Sequence, residues 1–91
     1  MMEIEVFDLL SKVDEVGLDG ADDVCAIFEE IIWYVRENAY EGRTIETDLW
    51  LREKLLGVNA KQSEELQSVI RSAGRDVPPE SLFKDMLAAL Q

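Results

Sequence analysis

The sequence predicts an all-α fold, a compact antiparallel bundle of about five short helices around a long central helix at roughly residues 20–40. Two observations predict it. Apolar residues recur at the three- and four-residue spacing of amphipathic helices in five successive segments, and glycine or proline separates those segments. No stretch has the pattern of a convincing strand. Ninety-one residues make a single domain, residues 1–91, with one modest core.

The first helix is predicted over residues 3–16. Its core stripe, which Ile4 and Phe7 widen, consists of Val6, Leu9, Leu10, Val13 and Val16. Gly17 followed by Leu18 is a typical helix stop, because a left-handed glycine lets the next apolar residue contact the last helical turn.

The central helix is apolar over more than half of its circumference. At about 100° per residue, its broad inner face consists of Ala21, Val24, Ile27, Phe28, Ile31, Ile32, Val35 and Ala39. Asp19 is the predicted N-cap, and Asp22 and Asp23 lie near the positive end of the helix dipole. The opposite face carries acidic residues, with Trp33 and Tyr40 in its middle.

The third helix is predicted over about residues 45–56, with Thr44 as its cap. One side of it, with Leu51 flanking, consists of Ile45, Leu49, Leu55 and Leu56. Trp50 falls on the other side, among Glu53 and Lys54.

Two further helices complete the bundle. Asn59 and Gln62 form a capping-box pattern that opens a fourth helix ending near Ala73. Its narrow apolar stripe consists of Leu66, Val69, Ile70 and Ala73. Pro79 suits the first position of the last helix, whose apolar face consists of Leu82, Phe83, Met86, Leu87 and Leu90.

The charge of the chain is strongly negative and unevenly distributed. Twenty acidic and nine basic residues give a net charge of −11. Residues 1–35 hold ten acids and one base, a net charge of −9, whereas residues 36–91 hold ten acids and eight bases. Such a field repels nucleic acid and anionic membranes and attracts basic proteins, although an acidic surface also serves solubility alone.

The residue types argue against catalysis. The chain has no histidine, which removes the usual general base, the Ser-His and Cys-His nucleophile pairs and nearly all transition-metal sites. The acid-rich residues 14–23 fail the spacing of a calcium-binding EF-hand loop. Cys25 has acidic neighbours, the opposite of what activates a thiol. We therefore expect a protein that is not an enzyme and that holds neither metal nor cofactor.

The segment GLDGADDVCAIFEE, residues 17–30, resembles the region around the prosthetic-group serine of acyl and peptidyl carrier proteins, which are also small, acidic and helical. Gly20 stands where that family has its serine. The segment therefore offers no hydroxyl there to carry phosphopantetheine.

Three features of the sequence indicate the cellular compartment of the protein. A single cysteine cannot form an intramolecular disulfide, which favours a reducing setting. The first ten residues are acidic where a signal peptide would be basic, and no apolar run approaches membrane-spanning length. We expect a cytoplasmic protein.

Three aromatic residues remain as candidates for a binding site. Trp33 and Tyr40 are seven residues apart and line up on one side of the central helix, and Trp50 follows on the next helix. Each either packs under a neighbouring helix or stands exposed among acids, and the sequence leaves both possibilities open. The candidate partner-binding residues are Trp33, Tyr40, Trp50, Asp22, Asp23, Glu29, Glu30 and Glu37.

These features favour a non-catalytic acidic protein-binding module that masks a basic surface of a partner, such as a nuclease or a nucleic-acid-binding protein. An inhibitor, an immunity protein or a mimic of nucleic-acid charge has this character, since aromatic anchors supply affinity and acids accelerate encounter. The alternative is a structural or regulatory subunit that self-associates, as a homodimer or larger assembly, through the aromatics of the central helix.

Overall fold

The computed structural model describes residues 3–38 and 44–91. In chain order its elements are strand β1 (Ile4–Glu5), helices α1 (Val6–Val16), α2 (Asp22–Asn38) and α3 (Thr44–Lys54), strand β2 (Leu55–Leu56), helix α4 (Ala60–Ser72), a short 3-10 helix (Pro79–Leu82) and helix α5 (Phe83–Leu90). The predicted all-α bundle of five helices is confirmed.

Helix α2 supplies the largest share of the core. It contacts α3, α4, α5 and the 3-10 helix. The predicted inner face is confirmed, because all of its described members are buried: Ala21, Val24, Ile27, Phe28, Ile31, Ile32 and Val35. Phe28 meets Phe83 of α5 with ring centroids 5.8 Å apart, an edge-tilted geometry that aromatic pairs favour. Ala39, the last predicted member, lies outside the described residues.

The N-terminal segment differs from its prediction. Ile4 pairs with Leu55 and Glu5 with Leu56 in a two-residue parallel ladder, so α1 begins only at Val6. The Gly17 stop has the expected positive φ of 78°. Phe7 does not widen the core, since it lies about 100° round the helix from Val6 and is 76% exposed. Val16, the last residue of α1, is 49% exposed rather than buried.

The start of α2 is also later than predicted. The turn before it has Gly20 N donating to the carbonyl of Gly17 and Ala21 N donating to the carbonyl of Leu18. Asp19 lies within this turn, is exposed, and makes no side-chain hydrogen bond to any residue between 3 and 38 or between 44 and 91. The prediction of Asp19 as the cap is therefore wrong.

Helix α3 buries a different face from the one predicted. Ile45 is 75% exposed and Leu49 is 59% exposed. The buried side instead carries Thr47, Leu51 and Lys54, which are four and three residues apart and therefore lie on one face. Leu55 is buried as predicted, but it and the 40% exposed Leu56 belong to β2 rather than to the helix. The error arose because α3 has no single apolar stripe, and contact with α2 and α4 decides its orientation.

The last two helices agree with their patterns. The Asn59 side chain accepts a hydrogen bond from Gln62 N at 2.8 Å, and the Gln62 side chain accepts one from Asn59 N at 3.0 Å, which confirms the capping box. Pro79 begins the 3-10 helix that leads into α5. The apolar face of α5 is confirmed, because Leu82, Phe83, Met86 and Leu90 are buried and Leu87 is half-buried.

Candidate protein-binding surface

The outer face of α2 carries a continuous row of side chains, which we call the α2 acidic stripe. Its members, three or four residues apart, are Asp22, Ala26, Glu29, Glu30, Trp33 and Glu37. This spacing places them one above another along the helix. Asp22, Glu29 and Glu37 are exposed and form no ion pair with another described residue. The stripe therefore presents exposed carboxylates to solvent.

Trp33 lies in the middle of this stripe and is 50% exposed. Glu29 is one helical turn before it and Glu37 one turn after it. The guanidinium carbon of Arg36 is 5.3 Å from the centroid of the Trp33 ring, within the range of a cation–π contact. Trp33 thus presents a partly open indole between two carboxylates, with a cation on part of its surface.

Arg36 is held in place by the backbone of residues 74–77. Its side chain is only 5% exposed, and Nη2 donates to the carbonyl of Val77 at 2.8 Å and to that of Gly74 at 3.4 Å. Arg75 Nη2 in turn donates to the carbonyl of Arg36 at 2.7 Å. A guanidinium fixed in this way limits the motion of the ring it touches. Sequence reasoning missed Arg36, although its position three residues after Trp33 was a usable signal.

Glu30 is engaged by a buried lysine of α3. Lys54 Nζ lies 2.9 Å from Glu30 Oε1, and the Lys54 side chain is 1% exposed whereas that of Glu30 is 38% exposed. This pair neutralises the Glu30 charge, because a buried ammonium requires a counter-ion. Lys54 lies 24 residues after Glu30 in the sequence, so no local pattern could have found the pair.

Trp50 belongs to the packing of α3 against α2. Its ring stacks on Tyr34 with centroids 3.8 Å apart and an interplanar angle of 1°, and it packs against the core. Lys54 Nζ lies 5.4 Å from its ring centroid. The structure therefore places Trp50 in the contact between two helices and not beside Trp33 on the stripe.

Asp23 points towards α1. Its carboxylate lies 2.7 Å from Lys12 Nζ. The hydrogen bond from Lys12 holds the pKa of Asp23 below its ordinary value. The structure thus brings together Asp22, Glu29, Glu30, Trp33 and Glu37 on the stripe, and turns Asp23 and Trp50 to other helices. Tyr40 lies outside the described residues.

Cys25 borders the stripe without being activated. Its thiol donates to the carbonyl of Leu18 at 3.3 Å. Burial raises the pKa of the Cys25 thiol, and the carboxylates of Asp22, Asp19 and Glu29 raise it further. A high pKa keeps sulfur in the less nucleophilic thiol form, in agreement with the sequence-based reading.

Residues 3–38 and 44–91 contain no group of three or more histidine, cysteine or acidic residues arranged to hold a metal ion. Within the same residues, no helix is both long enough and apolar enough to cross a membrane.

Comparisons with protein-family models, with curated proteins and with solved structures gave no match to this chain.

Proposed function

We propose that this protein is a non-catalytic acidic binding module whose α2 acidic stripe masks a basic surface of a partner protein. The proposed class is an inhibitor, an immunity protein or a mimic of nucleic-acid charge, acting in the reducing cytoplasm on a nuclease or a nucleic-acid-binding protein. The observation that carries the proposal is the half-exposed Trp33 between the exposed carboxylates of Glu29 and Glu37.

The physical argument assigns affinity and rate to different side chains of the stripe. Buried aromatic residues dominate the binding free energy of many interfaces, and Trp33 is the largest exposed side chain of the stripe. Arg36 restrains its ring, so less side-chain entropy is lost on binding. The exposed carboxylates of the stripe, with a net charge of −9 in residues 1–35, accelerate encounter with a basic partner.

The test is affinity capture of the partner from nuclease-treated lysate of the source cells, with washes at low and at high salt and identification by mass. We expect a basic protein that is retained at low salt and weakened at high salt. Trp33→Ala should abolish capture, whereas Ile45→Ala, an exposed apolar truncation on α3, should not. Glu29→Gln/Glu37→Gln should slow association more than the matched change Glu64→Gln/Glu65→Gln on α4.

Thermal unfolding of each variant separates binding from folding. Trp33→Ala should unfold close to the wild type, since a core truncation that costs about 3–5 kcal/mol requires a buried ring. If Trp33→Ala loses binding only because the protein unfolds, then Trp33 belongs to the core and is not a binding anchor. Recovery of only the protein itself at both salt concentrations would instead favour the self-associating subunit.

A further inference from the structure

A groove whose lining shares no residue with the α2 acidic stripe carries exposed apolar side chains. It has a volume of about 560 Å³ and lies where the start of α1 meets β2, the start of α4 and the end of α5. Its apolar lining, which defines what we call the Phe7 groove, includes Val6, Phe7, Leu10, Leu56 and Leu90. The proposed function makes no use of this groove.

Large apolar side chains of this groove are exposed, which is unusual for such residues. Phe7 is 76% exposed and Leu56 is 40% exposed, while Leu10 is half-buried beside them. Burial of a phenylalanine side chain is strongly favourable, and neighbouring exposed apolar side chains mark interaction sites more often than isolated ones do. The ladder between β1 and β2 fixes this arrangement, because Glu5, just before α1, pairs directly with Leu56.

The charged residue in the lining of the groove is acidic. Glu5 is the only charged residue that lines it among those described, and Glu3, two residues before Glu5, is also exposed. Lys12, the only base of α1, is bound to Asp23 of α2. Among the described residues, the groove therefore combines an apolar floor with one carboxylate in its lining and a second, Glu3, close to it in the chain, and no base lines it.

The other exposed apolar pair has different surroundings. Ile45 is 75% exposed and Leu49 is 59% exposed, but the groove beside Ile45 is lined by Arg52 and Arg71 as well as by two acids. Its charges balance, so it offers no net attraction to a cation. This difference separates the two surfaces and provides an internal control.

We propose that the Phe7 groove binds a basic amphipathic segment of a partner protein. Apolar side chains of that segment pack against Phe7, Leu10 and Leu56, and its lysine or arginine side chains pair with Glu5 and Glu3. A second copy of this chain is a poorer occupant, because a two-fold contact would bring the same acids of both copies together. This surface is independent of the α2 acidic stripe.

The test uses ¹⁵N-labelled protein and a synthetic amphipathic peptide of leucine and lysine as the probe. We expect amide shift changes to cluster at residues 5–10 and 56–57. A peptide with glutamate in place of lysine, and one with serine in place of leucine, should bind much more weakly. Phe7→Ser should weaken binding at least about tenfold, because burial of the ring is worth more than a tenfold change in affinity.

Ile45→Ser is the matched control, since it removes an equally exposed apolar side chain from a charge-balanced surface and should leave affinity unchanged. Glu3→Gln/Glu5→Gln should weaken binding and reduce its dependence on salt. Shifts confined to α2 or to residues 45–49, equal affinity for the glutamate peptide, or full binding by Phe7→Ser would overturn the proposal. Shifts that grow with protein concentration alone would assign the groove to a second copy.

Discussion

Three acidic residues of α2 meet different surroundings although they look alike in the sequence. Asp23 pairs with Lys12 of α1, and Glu30 pairs with the buried Lys54 of α3. Glu37 is exposed and has no ion pair within the described part of the chain. Each pair decides whether a carboxylate supports the fold or stays available to a partner. The charge that a helix face presents to solvent is therefore the charge left after its intramolecular ion pairs are subtracted.

Cys25 provides a prediction at the same scale. Because burial and nearby carboxylates raise the pKa of its thiol, we expect slow alkylation by iodoacetamide at neutral pH. The rate should rise with pH along a curve whose midpoint lies above the ordinary cysteine value of about 8.5. The measurement is the alkylation rate across roughly pH 7 to 10, followed by mass.

Asp22→Asn removes a carboxylate near the thiolate without removing the cover over the sulfur, so it should lower the midpoint. Glu64→Gln on α4 removes the same charge elsewhere and should leave the midpoint in place. A folded-state midpoint at or below that of the chain unfolded in urea would contradict the prediction.

Helix α3 shows that the position of a helix and the face that it buries are determined by different interactions. Local propensity and the residues before and after it predict the helix at nearly the observed position. Its apolar side chains are scattered around the axis, so periodicity favoured a face with Ile45 and Leu49, which is exposed. The buried face is chosen by Leu51 in the core and by the Lys54–Glu30 pair. An element without a clear stripe takes its orientation from its neighbours.

Two leucines of α3 test this orientation. Leu51 is 0% exposed and Leu49 is 59% exposed. Leu51→Ala should lower the free energy of unfolding by about 2–5 kcal/mol because it leaves a cavity. Leu49→Ala, the same chemical change, should alter it by less than about 0.5 kcal/mol.

Urea unfolding followed by circular dichroism measures both variants. A loss for Leu49→Ala as large as that for Leu51→Ala would contradict this orientation of α3.

The whole molecule carries a net charge of −11, most of it in residues 1–35. Like charges at this density repel one another in the compact state more than in the unfolded chain. The same field attracts a basic partner from a distance. Stability and association should therefore respond to salt in opposite directions, since screening relieves the repulsion but weakens the attraction.

For stability, we expect the free energy of unfolding to rise with sodium chloride concentration in urea titrations. Asp14→Asn/Glu15→Gln should raise stability at low salt and flatten the salt dependence, because these acids lie at the negative end of α1. The matched change Glu64→Gln/Glu65→Gln, in the less charged part of the chain, should have a smaller effect. A stability that falls with salt would show that ion pairs outweigh repulsion.

The candidate site was predictable in part. The row Asp22, Glu29, Trp33 and Glu37 follows from helical phase alone, which is why the sequence placed these residues on one face. Helical phase did not predict three other features of the site. They are the exposure of Trp33, the Arg36 contact that restrains its ring, and the stacking of Trp50 on Tyr34. Each of these depends on a segment that is remote in the sequence.

The sequence by itself determined the helix content, the inner face of α2, the capping box at Asn59 and the net negative field, because each depends on residues within a few positions of one another or on composition. Only the tertiary structure decided that Phe7 is exposed, that α3 buries Leu51 and that Glu30 is neutralised by Lys54. The physical reason is that exposure and ion pairing are properties of surfaces that meet across the fold, and helical phase carries no information about which surfaces meet.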